Sequence, residues 1–134
     1  MDFDGSRVYI GPCGIGLGHV GRTIPVAREL KRRGAEVMFS TYLEAVEFVR
    51  RQGFPVVKSP AISLVSDSTG RIDLKATVLK QGVSALTTLM KQIKAEMEYI
   101  KSFRPNIVVS DSRLSTLAAG KLLGIPVVLI INQF

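Results

Sequence analysis

A chain of 134 residues supports one domain with one core, since domains run to roughly 100–200 residues. With 46% hydrophobic and 22% charged residues, 12 Gly and 6 Pro, it has the composition of an ordinary globular domain, which disfavours disorder, collagen and a disulfide scaffold. The 18 Lys and Arg against 11 Asp and Glu give +7 and favour anionic partners, while 7% aromatic residues and no Trp argue against single-stranded nucleic acid as one of them.

Residues 1–6 carry acids where a secretory signal carries bases, and no apolar run approaches the ~20 residues that cross a bilayer. Arg7-Val8-Tyr9-Ile10 is a β-prone run that ends in a glycine-rich loop over residues 11–21. From 22 to 33 the pattern is helical, with Ile24, Ala27 and Leu30 on one face and Gly34 to end it, which places Pro25 near the first turn. Glu36-Val37-Met38-Phe39-Ser40 reads as a second strand. Thr41-x-x-Glu44 has the spacing of a capping box for a helix that runs to about Gln52.

Pro55-Val56-Val57-Lys58 is a third strand, followed by a polar loop over 59–73. Leu79, Val83, Leu86, Met90, Ile93, Met97 and Ile100 form the seam of one long amphipathic helix, expected to face the core and stopped by Arg104-Pro105. Ile107-Val108-Val109-Ser110 reads as a central parallel strand, 114–123 as a helix, and 127–131 as another buried strand. This βαβαβαβαβ alternation specifies an α/β, Rossmann-like doubly wound parallel sheet in three αβα layers, with strand order 3-2-1-4-5.

In that order the ligand crevice lies at the carboxyl ends of the first and fourth strands, where two segments meet. One is the loop 11–21, whose Gly16-Leu17-Gly18-His19-Val20-Gly21 matches G-x-G-x-x-G; glycines before a helix start suit a diphosphate. A nicotinamide dinucleotide would further require glycines at the strand end and an acid after the second strand. Gly11 to Ile15 intervene, and the second strand ends in Ser40-Thr41, so an NAD(P)-binding oxidoreductase domain is the second reading. A third is that the glycines only make a tight turn.

The other segment is Ser110-Asp111-Ser112-Arg113. His19, the only histidine, sits at the mouth of the glycine loop, where the positive end of a helix favours the neutral, proton-accepting imidazole. An Asp111 facing it would fix its tautomer and stabilise the imidazolium, provided that both share a cleft and neither is sealed from solvent. The plainer alternative has Asp111 or Ser112 capping the next helix and His19 bonding locally.

These residues carry a resemblance. Gly14-Ile15-Gly16-Leu17-Gly18-His19-Val20-Gly21-Arg22, with Ile24-Pro25-Val26-Ala27-Arg28-Glu29-Leu30 and Gly34, resembles the N-terminal motif of GT-B glycosyltransferases of the MurG and UDP-glycosyltransferase kind. Pro105-Asn106-Ile107-Val108-Val109-Ser110-Asp111 through Gly124-Ile125-Pro126-Val127 to Asn132-Gln133 is similar to their later N-domain motif. The resemblance implies inverting transfer of a sugar from a nucleotide-sugar, a UDP-sugar above all, to a hydroxyl acceptor, without cofactor or catalytic metal. It makes His19 the catalytic base and Asp111 its assistant, although the MurG branch does not generally keep that aspartate. Gly14, Gly16 and Gly18 would line the donor phosphates. It also implies that residues 1–134 are the acceptor-side half, a fragment or split subunit that is inactive without a C-terminal nucleotide-sugar domain or partner chain.

The remaining candidates are weaker. Arg22 either neutralises donor phosphate or covers the helix start. Asp2-Phe3-Asp4 has the D-x-D pattern of metal-dependent transferases but precedes the first strand, so no metal is assigned. Lys31-Arg32-Arg33 and Arg50-Arg51 complement helix dipoles and would also suit peripheral binding to an anionic membrane, with loop 59–73 and Val78-Leu79 adding apolar contacts for a lipid-linked acceptor. Cys13 reads as a packing residue; as the only cysteine it permits neither an intrachain disulfide nor a cysteine-based zinc site, consistent with a cytoplasmic chain, at most at the inner membrane face.

Overall fold

The computed structural model describes residues 3–61 and 74–131, and within them not the side chains of 74–81 and 83. Five parallel strands, β1 (Arg7–Pro12), β2 (Glu36–Thr41), β3 (Val56–Lys58), β4 (Ile107–Asp111) and β5 (Val127–Ile130), form one sheet in the order β3-β2-β1-β4-β5. The helices α1 (Gly18–Arg32), α2 (Glu44–Arg51), α3 (Leu74–Phe103) and α4 (Leu114–Leu122) make the crossovers. The expected Rossmann-like doubly wound sheet is therefore the observed one. Its central strands are covered on both sides, which is why β1 and β4 read as nearly continuous apolar runs.

The two faces of the sheet hold different cores. Against α1 and α2, Val8, Ile10, Val37, Phe39 and Val109 pack on Val20, Ile24, Ala27 and Val49. Against α3 and α4 the buried apolar set, among the described residues, is Tyr9, Val108, Ile100 and Ala119, with Met97, Phe103 and Val127 packed around it. In register, Ile10 pairs with Val109 and Pro12 with Asp111, so the carboxyl ends of β1 and β4 finish side by side. The chain leaves β1 toward one face and β4 toward the other, which opens the crevice at this point.

Several boundaries differ from the sequence reading. Helix α1 begins at Gly18, not at Arg22, so Pro25 lies inside it, and the Gly21 carbonyl forgoes its helical donor. No capping box opens α2. Thr41 ends β2 and its hydroxyl donates to the Pro12 carbonyl at 3.2 Å, while the N-cap position is Leu43, at φ 57° and without a side-chain cap. The Thr41 hydroxyl is thus used on the β1 carbonyl and does not cap α2.

The long helix departs most. Leu86 and Met90 are 59% and 62% exposed, whereas Ile100, at the far end of the same seam, is fully buried with Gln92 and Glu96 on the buried line beside it. Gln92 donates to the Pro60 carbonyl and Tyr99 to the Lys58 carbonyl, so the helix is clamped by polar bonds at the side of its apolar seam. Strand β5 is half open, with Val128 and Leu129 45% and 46% exposed, because it is the sheet edge. An apolar hollow of about 460 Å³ lies beside it, lined by Val26, Leu30, Ile107, Val128 and Ile130. No helix of the described residues is long and apolar enough to cross a membrane. Asp2, most of loop 59–73, the side chains of Val78 and Leu79, and Asn132 and Gln133 lie outside the described residues.

Candidate functional site

The crevice brings His19, Asp111 and Arg22 together. Asp111 is the last residue of β4 and is fully buried; His19 and Arg22, from the first turns of α1, have side chains 24% and 34% exposed. His19 Nδ1 lies 3.2 Å from Asp111 Oδ1. A carboxylate only accepts, so this bond requires Nδ1–H and leaves Nε2 as the proton acceptor. Arg22 grips the same carboxylate in a fork, with Nε donating to Oδ2 at 2.6 Å and Nη2 donating to Oδ1. Its hydrogen bonds to Asp111 raise the guanidinium further above its ordinary value, so it remains a cation.

The burial of Asp111 corrects the requirement that neither partner be sealed from solvent. Only the imidazole must reach a substrate. A buried aspartate behind it holds the ring more firmly, as in other His-Asp pairs. The plainer alternative finds no support: α4 has Arg113 at its N-cap with no side-chain cap.

The glycines divide by environment. Gly14 is buried, and a Cβ there would strike the Tyr42 carbonyl; the loop crosses α2's lead-in at backbone contact. Gly16 and Gly18 are exposed, Gly16 at φ 71° and Gly18 as the first residue of α1. The first bond within that helix is Gly21 N to Leu17 O at 2.8 Å, so the N–H groups of Gly18, His19 and Val20 have no acceptor in it. No acid stands in the first turn, but Gly16 N donates to Glu44 Oε1 at 3.2 Å. An anion already leans on the loop from α2. Cys13 Sγ lies 3.4 Å from the Tyr42 hydroxyl; burial, with this contact second, pushes Tyr42 up to about 12.

Behind the crevice lies a cluster that the sequence reading missed. Glu96 of α3, fully buried, accepts from Tyr9 at 2.5 Å, from Ser40 at 2.7 Å and from Thr116 at 3.0 Å. Arg113 Nη2 stands 2.9 Å from its Oε1. Burial and the neighbouring Glu96 both push the Tyr9 phenol far up. One signal was available: Glu96 is four residues from Ile100, on the side of the helix that turns inward. Among the described residues, no three His, Cys, Asp or Glu side chains gather as a metal site would require.

The model of the family described as glycosyl transferase family 1 matches residues 6–134, and the chain belongs to that family. An uncharacterized glycosyltransferase of Methanosarcina mazei is 35% identical over 128 residues, 95% of this chain and 33% of the relative. One of Methanopyrus kandleri is 30% identical over 110 residues, 81% of the chain and 31% of the relative. The chain thus spans about a third of the length of these relatives. The fold is that of GT-B glycosyltransferases. MurG of Acinetobacter baumannii matches with a TM-score of 0.71 at 21% identity, over 94% of this chain and 35% of its own. The Streptomyces glycosyltransferase SsfS6, solved with thymidine diphosphate, matches with 0.70 at 18% identity, over 94% and 38%.

Proposed function

We propose that this chain is the acceptor-side half of an inverting glycosyltransferase that moves a sugar from a nucleotide-sugar, a UDP-sugar above all, to a hydroxyl acceptor. The observation that carries the reading is the His19–Asp111 bond beside the open start of α1. Nε2 of His19 takes the proton of the acceptor hydroxyl as its oxygen forms a bond to the anomeric carbon. The bond from that carbon to the donor phosphate breaks, and its electron pair leaves with the nucleoside diphosphate. Asp111 holds the ring and stabilises the imidazolium.

The exposed N–H groups at Gly16 and Gly18, with the helix start behind them, meet the leaving diphosphate, and Gly14 shapes the loop from below. Arg22 adds positive charge from behind Asp111. No metal and no cofactor enters this scheme. The other two thirds of the enzyme, fused or as a separate chain, supply most contacts to the nucleotide-sugar. An acceptor presented at the inner face of an anionic membrane fits the charge of +7 and the exposed Ile15, Leu17 and Leu43 around the loop.

The test is sugar transfer from UDP-sugar by the chain together with its nucleotide-sugar domain. Transfer that needs both parts supports the reading. Tight NAD(P) binding by the chain alone, without transfer, overturns it.

A further inference from the structure

Arg113 stands two residues beyond Asp111, yet its side chain turns away from the crevice and is 2% exposed. Nη1 donates to the Ser40 carbonyl at 2.7 Å, Nη2 faces Glu96, and the guanidinium lies 5.3 Å over the Tyr42 ring. The backbone between Asp111 and Arg113 is pinned as tightly. Ser110 donates to the Arg113 carbonyl at 2.7 Å, Ser112 N donates to the Ile130 carbonyl at 2.9 Å, and Ser112 is held at φ 53°, a conformation a serine adopts only when its surroundings impose it.

A buried ion pair is a weak source of stability, because desolvation offsets its attraction and an apolar pair often does as well. What this one supplies is geometry. It ties the end of β4 to the end of β2 and to α3, and by way of Tyr42 it braces the strip of backbone on which Gly14 rests. One side chain thus braces both the turn behind the carboxylate that faces His19 and the floor of the glycine loop.

We infer that Arg113, anchored by Glu96, is a positioning residue: it locks the turn that presents Asp111 to His19. The reaction it serves is the one proposed above. The double variant R113M/E96Q removes both charges and is expected to fold with a melting temperature close to the parent's. The lone histidine then reads the site directly. In the parent chain, nitrogen NMR of the imidazole shows one tautomer, protonated at Nδ1; in the double variant it shows an exchanging mixture of the two. In the complete enzyme, kcat falls on the order of 10–100-fold, as expected when a reacting group is displaced by about an ångström, while the donor KM changes by less than about threefold.

A folded double variant with the parent's imidazole spectrum and kcat overturns the inference. R113K, which keeps a cation against Glu96 but loses the planar guanidinium that also reaches the Ser40 carbonyl and the Tyr42 ring, gives the same readouts should the double variant fail to fold. There, partial loss of the single tautomer supports the role and an unchanged spectrum and kcat overturn it. Undiminished turnover in H19A would instead remove the base from the mechanism, and the spectra would still decide whether Arg113 orients Asp111.

Discussion

His19 Nδ1 and Asp111 Oδ1 lie 3.2 Å apart although 92 positions separate the two residues in the chain. The contact exists because β1 and β4 are neighbours and Pro12 is in register with Asp111. In the complete enzyme, His19→Ala is expected to lower kcat by roughly 10²–10⁴-fold, the usual range for a lost general base, with little change in donor KM. Asp111→Asn follows in the same direction, since an amide does not enforce the Nδ1–H tautomer. Steady-state kinetics at saturating donor check both; parental kcat in His19→Ala would eliminate the base.

Among the described residues, Arg22 is the cation hydrogen-bonded to the Asp111 carboxylate, beside the bond from His19. Arg22→Met leaves the fully buried Asp111 carboxylate without its guanidinium partner. Taking one partner from such a pair is expected to lower stability, by less than for a fully buried pair because Arg22 is partly exposed. Urea unfolding of the chain measures it, and adding Asp111→Asn should restore part of the loss. A variant as stable as the parent would show the fork to be dispensable.

Gly14→Ala and Gly18→Ala should separate packing from ligand contact. A Cβ at 14 runs into the Tyr42 carbonyl, whereas one at 18 meets nothing within 4 Å. The first is expected to destabilise the chain by about 1–3 kcal/mol, as overpacking does. The second should melt like the parent yet bind nucleoside diphosphate more weakly in the complete enzyme. The reverse pattern would contradict both assignments.

Glu44 places a carboxylate on the Gly16 N–H, the group that the donor diphosphate would use. Glu44→Gln is expected to tighten UDP binding about two- to fivefold at low salt, the scale of one screened like-charge contact. Calorimetric titration decides it, and weaker binding in the variant would mean that Glu44 supports the loop more than it competes for it.

Alkaline pH should unfold the domain through its phenols. Tyr42 is pushed up to about 12, first by burial, and Tyr9 is raised further by burial and Glu96. An unfolded tyrosine ionises near ~10. Above that pH the unfolded state releases protons that the folded state retains, so stability falls through the window up to about 12. Tyrosinate absorbance followed alongside circular dichroism tests this; ionisation of Tyr42 well before any unfolding would refute it.

The sheet order and the His-Asp meeting point were legible because both follow from period and topology. Strand runs at β1, β2 and β4, helical stretches between them and right-handed crossovers leave few alternatives. The spacing Thr41-x-x-Glu44 suggests a capping box because it says nothing of a competing acceptor, and the Pro12 carbonyl takes the Thr41 hydroxyl instead. The seam of α3 was misread because apolar residues mark a face without stating whether it is covered, and the buried line carries Gln92 and Glu96. Arg113 belongs to the segment the sequence places at the crevice, but its role is not legible there, because its partners Ser40 and Glu96 are supplied only by tertiary structure.

The cores on the two sides of the sheet, as the described residues show them, divide the working parts. His19 rides on α1, seated on an apolar layer, whereas the turn after Asp111 leads into α4, over a layer that, among the described residues, centres on charged and hydroxyl groups. Local opening begins where apolar contacts are sparse. Amide exchange should therefore release the body of α4 before α1, while the entry turn, held by the Ser110, Ser112 and Arg113 bonds, keeps the acidic partner of the imidazole at its post.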